Sequence, residues 1–146
     1  MDDTGDEFEK LLMQFEHAAA KLEFEKVLQR VQRYASSDPG RELLLSVRFS
    51  TSAVEIRNEL SCVSEIKTLI EAEGYLPIEG VHPVKSSIQK SGVEGAVLQS
   101  REVLQIGLTM KVAKTVRDFL SKQRTQAMLI WEIAEPLYID KVLVYN

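Results

Sequence analysis

From Phe24 to Ile133, apolar residues return every three or four positions, and this spacing breaks only at clusters of proline, glycine and serine. That period places side chains on one stripe of a helix, whereas a half-buried strand alternates every second residue. No pair of alternating runs joined by a hairpin turn occurs, and no internal repeat is visible. The expected fold is therefore all-α, an irregular multi-helix domain with two long helices and short connecting helices.

The breaks predict where the chain turns. A first helix is expected over about 5–18, carrying Phe8, Leu11, Leu12 and Phe15, and it can run almost unbroken through HAAAKL into a second that ends near Tyr34 or Ala35. The stretch YASSDPGRELL at 34–44 then interrupts the pattern. Ser36 and Ser37 suit a turn, Asp38 can act as N-cap, and Pro39 fits the first position of a short helix over about 39–48. Ser52 and Glu55 have capping-box spacing and start a long helix over about 53–73, with Val54, Leu60, Val63, Ile66, Leu69 and Ile70 as its apolar side. Gly74 is placed to end it.

Pro77 and Pro83 forbid a continuous helix through the next region. Pro83 can open a short helix, with Val84 and Ile88 on one face, that closes at Gly92. Ser100 can cap a second long helix over about 101–124, whose inner stripe is Leu104, Leu108, Val112, Val116, Phe119 and Leu120. A last helical run through Met128, Leu129, Trp131 and Ile133 meets Pro136, and the closing LYIDKVLVYN suits a helix or a strand. The domain expectation is an acidic N-terminal helix over 1–20 followed by a helical core-like domain over 21–146.

Charge limits the function classes. The net charge is −4. Residues 1–25 hold eight acids against Lys10 and Lys21, while residues 98–124 hold Arg101, Lys111, Lys114, Arg117, Lys122 and Arg124 against Glu102 and Asp118. A chain of this balance is not built to wrap nucleic acid by itself, though one face can meet phosphate. No run of eighteen apolar residues marks a membrane span, and the acidic start MDDTGDEFEK is unlike a signal peptide. Cys62, the single cysteine, excludes an internal disulfide and is expected to be a buried small hydrophobe in a reducing compartment.

Catalytic signals are weak. The glycines of SGVEGAV lack the spacing and the lysine of a phosphate-cradling loop. His17 and His82 lie far apart without matching ligands, so His17 reads as a solvated residue and His82 as a loop or cap residue. Asp2 with Asp3, and Asp6 with Glu7, read as solvated charge. Trp131 is expected to anchor the core or an interface. The one candidate contact surface is the basic side of the second long helix, where Lys111, Lys114, Lys122 and Arg124 can approach phosphate, although no aromatic residues interleave to stack on bases. No catalytic, cofactor-binding or metal-ligating residue is expected in this chain.

An ordered series of short segments says more. LEFEKVLQRVQRYASSDPGREL at 22–43 resembles the opening of the type II, or anti-recombination, branch of the bacterial MutS family. Ile56-Arg-Asn-Glu-Leu60, Pro77 with the Gly80–Val81 loop, Val97-Leu98 leading into Ser100, and Arg117-Asp-Phe-Leu120 follow in family order. The resemblance covers roughly 20–125. It departs at Asp38, which stands between the second serine and proline, and in the acidic first twenty residues. Family members continue into a lever region, an ATPase domain and a nuclease domain, so a piece of a longer protein is expected. The resemblance implies a cytoplasmic, homodimeric, ATP-driven protein that acts on branched DNA and limits recombination; some such proteins are linked to rescuing collided ribosomes. ATP and magnesium would then belong to the ATPase domain, and this piece would connect helically to the rest of its own polypeptide, with no membrane partner. No catalytic residue of the family maps onto a position here. Two other expectations stand beside it: a stand-alone helical adaptor that binds through its apolar C-terminal tail, and an autonomous DNA- or ribosome-contacting module that uses the 111–124 face.

Overall fold

The computed structural model describes Met13, residues 17–48 and residues 50–139. The helix expected over about 5–18 lies largely outside the described residues, as do the acid pairs near the start and most of the closing segment. The fold is all-α, with no strand among the described residues. Its helices are α1 (Phe24–Gln32), α2 (Asp38–Leu45), α3 (Ala53–Glu73), α4 (Lys85–Ser91), α5 (Ser100–Lys122) and α6 (Met128–Ala134). The chain divides into two compact units, one of Met1–Ala35 with Gly40–Phe49 and the other of Ser36–Pro39 with Ser50–Asn146.

In the first unit the expected continuity through HAAAKL fails. Residues 17–21 are helical, but a turn follows, and Glu23 takes a left-handed conformation at φ 52° before α1 begins. Left-handed backbone costs a non-glycine residue energy, and Glu23 accepts a 2.6 Å ion pair from Lys26 at the same point. Helix α1 stops at Gln32, earlier than expected, with short-range bonds tightening its last turn, such as Tyr34 N to the Val31 carbonyl at 2.9 Å. The corner at 36–37, which falls among the residues of the second unit, forms as anticipated. It is held by the Arg41 guanidinium, which donates to the Ala35 carbonyl at 3.1 Å, and by the Gln32 amide, which donates to the Arg41 carbonyl at 3.2 Å. Helix α2 already includes Asp38, so the N-cap expected there is corrected: Asp38 sits inside the first turn and Pro39 falls one position later. The shift is harmless, since the first four N–H groups of a helix have no intrahelical acceptor to lose.

In the second unit Ser52 caps α3 by accepting the Glu55 N–H at 3.3 Å. The reciprocal arm goes elsewhere: the Glu55 carboxylate accepts from the Ser50 hydroxyl at 2.7 Å, and that hydroxyl accepts the Ser52 N–H at 3.1 Å. Gly74, at φ +79°, closes α3 with its N–H on the Ile70 carbonyl at 2.9 Å. The cap of α5 is also corrected. It is Gln99, not Ser100: Gln99 and Glu102 form a reciprocal capping box, and the Glu102 carboxylate accepts the Gln99 N–H at 2.6 Å.

The core sits where three helices meet. Leu69 of α3, Leu120 of α5, Ala127, and Ala134 of α6 are buried, and Leu76, Val116, Phe119, Ile130 and Trp131 pack around them. Trp131 is thus a core anchor. Helix α6 wedges between α3 and α5, and its start carries no cap of its own, because Ala127 offers no side-chain acceptor. Glu65 of α3 fills that need, accepting the N–H groups of Leu129 at 3.2 Å and Ile130 at 3.0 Å. A carboxylate there satisfies two orphan donors and faces the positive end of the helix dipole.

Away from this junction the expected stripes are corrected. Val54, Leu60, Val63 and Ile70 of α3 and Leu104 and Leu108 of α5 are all exposed. Cys62 is half-buried, not buried. In α4 the buried residue is Ser87, while Ile88 is exposed and Val84 half-buried. Apolar spacing marks which residues share a stripe, but only a neighbouring element can bury it.

Candidate nucleic-acid interface

Helix α5 carries three of the four basic candidates. Lys111, Lys114 and Lys122 follow spacings that keep them on one face, and the run from Lys111 to Lys122 covers about 16 Å of helix axis. Arg124 lies beyond the helix, in the turn leading to α6. Asp118 sits within the same face, and the Lys114 ammonium bonds its carboxylate. The patch therefore carries less free positive charge than its lysine count suggests.

The fold brings partners to Lys111 that the sequence did not reveal. Residues 75–82 cross α5, where Gly80 takes φ +87° over Val112 and the His82 N–H donates to the Thr109 hydroxyl at 3.0 Å. His82 is a loop residue, one of the two places anticipated for it, and is half-buried; His17 is exposed on the helical turn at 17–21. Between loop and helix runs a groove of about 510 Å³ lined by Tyr75, Pro77, Glu79, His82, Lys111 and Thr115, among others. Tyr75 is exposed, and its ring leans on Phe119 at a centroid distance of 6.2 Å and a 45° tilt. An aromatic face thus shares a groove with a lysine, the pairing that stacking contacts with bases use. Glu79 lines the same groove and opposes the lysine's charge. Tyr75 lies far from Lys111 along the chain, so spacing gives no sign that the two meet.

A second polar cluster ties α4 to the start of α5. The Glu102 carboxylate accepts from Lys90 at 2.9 Å and from the Ser87 hydroxyl at 3.5 Å, besides its bond from the Gln99 N–H. The backbone N–H of Gln99, then Lys90, hold the Glu102 carboxyl below its ordinary value of 4.5. The Gln-x-x-Glu spacing of 99–102 signals the capping box within this cluster, but not the contacts with Ser87 and Lys90. Among the described residues no three His, Cys, Asp or Glu side chains gather as metal ligands do, and no helix is long and apolar enough to cross a membrane.

No protein-family model matches this sequence, and no solved structure matches it. Curated proteins do. The chain is 26% identical over 131 residues to Endonuclease MutS2 of Clostridioides difficile (strain 630), and 33% identical over 100 residues to Endonuclease MutS2 of Caldicellulosiruptor bescii. It is 26% identical over 120 residues to Endonuclease MutS2 of Pelotomaculum thermopropionicum. The chain is related to the MutS2-type proteins. These matches take in 86%, 68% and 82% of this chain. They take in only 16%, 13% and 15% of the MutS2 proteins themselves, so the chain corresponds to a small part of each. The family resemblance carried by 22–43 and the segments after it is thereby supported over most of the sequence.

Proposed function

We propose that this chain is the N-terminal helical core, or connector, segment of a MutS2-type DNA-binding ATPase that acts on branched DNA and limits recombination, with no catalysis inside the segment. The observation that carries the reading is the match of most of this chain to about one-seventh of each MutS2 relative. In this reading ATP and magnesium are bound elsewhere in the longer polypeptide. That polypeptide is a cytoplasmic homodimer, and its contacts with branched DNA or with ribosomes lie mainly outside this segment. The geometry of α5 fits a connector: its basic face is short, and Asp118 and Glu79 offset part of its charge.

Two measurements test this. Deleting the gene from its host is expected to raise recombination between diverged repeats; an unchanged frequency argues against the role. Titration of branched and linear duplexes with the chain alone is expected to give dissociation constants of about 100 μM at physiological salt, the weak end of non-specific binding. Submicromolar, structure-selective binding that vanishes in Lys111→Glu/Lys114→Glu would replace the connector with an autonomous DNA-binding module.

A further inference from the structure

Helix α3 buries Leu69 in the core but leaves a second apolar line facing outward. Ile56, Leu60, Val63, Lys67 and Ile70 follow one another at alternating steps of four and three residues. The four apolar members are 41%, 60%, 64% and 44% exposed, and the Lys67 side chain is 75% exposed. A continuous 4-3 repeat is the seam by which one helix packs along another, with the flanking positions setting partner choice through charge. Arg57 and Glu71 flank the seam on one side, Glu59 and Glu73 on the other. Three acids thus stand against one base, with the Glu73 carboxylate also accepting from the Gln123 amide at 2.7 Å. Lys67 sits in the seam itself, with its ammonium 3.8 Å from Glu71.

We infer that this face is the seat of another α-helix, one with a matching 4-3 apolar repeat and a basic flank, supplied by the longer polypeptide of a MutS2-type protein. The inference rests on the proposed function in one respect, that such a polypeptide surrounds the segment; the MutS2 relatives are each more than six times as long as the stretch they share with this chain. Two copies of α3 are poor partners for each other. Parallel pairing sets Lys67 against its own copy, and antiparallel pairing sets Glu59 against Glu73. A basic partner helix meets neither obstacle.

The test uses the intact chain and two synthetic peptide helices as long as α3, with identical leucine seams and flanks of either lysine or glutamate. Fluorescence anisotropy is expected to show the lysine-flanked peptide binding about tenfold more tightly, as flank contacts change sign between the two. Leu60→Glu/Val63→Glu is expected to abolish binding while circular dichroism stays unchanged. Glu59→Lys/Glu71→Lys, which keeps the apolar seam, is expected to reverse the peptide preference. Failure of both peptides to bind, or equal binding of the two, overturns the inference. So does sedimentation showing a dimer of the chain that Leu60→Glu/Val63→Glu dissolves, because a second copy is then the occupant. None of these readouts involves DNA or recombination, so failure here is distinguishable from failure of the proposed role.

Discussion

The two halves of α3 are built from similar residues, but only one of them reaches the core. Its C-terminal half reaches the junction with α5 and α6, where Leu69 has no exposed surface and Glu65 caps a neighbouring helix. Its N-terminal half carries Val54, Ile56 and Leu60, all exposed. Helix propensity and apolar content do not separate the halves; the presence of α6 does. Burial is a property of the neighbour, and the transfer energy of an apolar side chain is realised only when another surface removes it from water.

The largest test of this contrast is Leu69→Ala. Loss of a fully buried leucine is expected to destabilise the chain by about 3 kcal/mol in denaturant unfolding, combining lost transfer energy with a residual cavity. A loss under about 1 kcal/mol would mean that the junction relaxes around the gap and is not the core. Next comes Glu65→Ala, which strips the cap from α6 and leaves two N–H groups without an acceptor. A cost of about 2 kcal/mol is expected, with Glu65→Gln retaining part of it because the amide oxygen still accepts. Equal effects of the two substitutions would show that the charge, not the bond, holds α6.

At the opposite end of α3, Ser52→Ala is expected to cost about 1 kcal/mol, the usual worth of an N-cap hydroxyl. A similar loss in Ser50→Ala would locate the cap energy in the Ser50–Glu55 bond instead. A pH effect follows from Glu102. Its folded carboxyl titrates below the ordinary value of 4.5, so its contribution is fully present above that value. The contribution is lost as acid takes the solution down through the lowered folded value. Glu102→Gln is expected to flatten this acid limb of the stability profile. A limb of unchanged slope would assign it to other carboxylates.

The smallest effect is expected at the outward seam. Leu60→Ser and Val63→Ser should each change the stability of the chain by no more than about 0.5 kcal/mol, since both side chains already face water. A loss approaching that of Leu69→Ala would erase the distinction between the two halves of the helix.

Local chemistry was legible in the sequence wherever a residue acts on near neighbours in the chain. Ser52 accepts the Glu55 N–H, Gly74 ends α3, the chain bends at 36–37, and the all-α class follows from spacing alone. Where two local solutions compete, spacing can miss the winner by a residue, as at the start of α5, where Ser100 was expected to cap and Gln99 does. The continuity expected through HAAAKL failed for a related reason: alanine favours a helix but does not compel one against a turn at Glu23. Only the tertiary structure decided what is buried and what is brought together. Glu65 reaches α6 across 64 and 65 residues, and Tyr75 shares a groove with Lys111. It also decided that Leu69 belongs to the core while Leu60 and Val63 do not. A periodic pattern states which side chains share a face of a helix; which face meets a partner depends on contacts between residues far apart in the chain, which spacing does not encode.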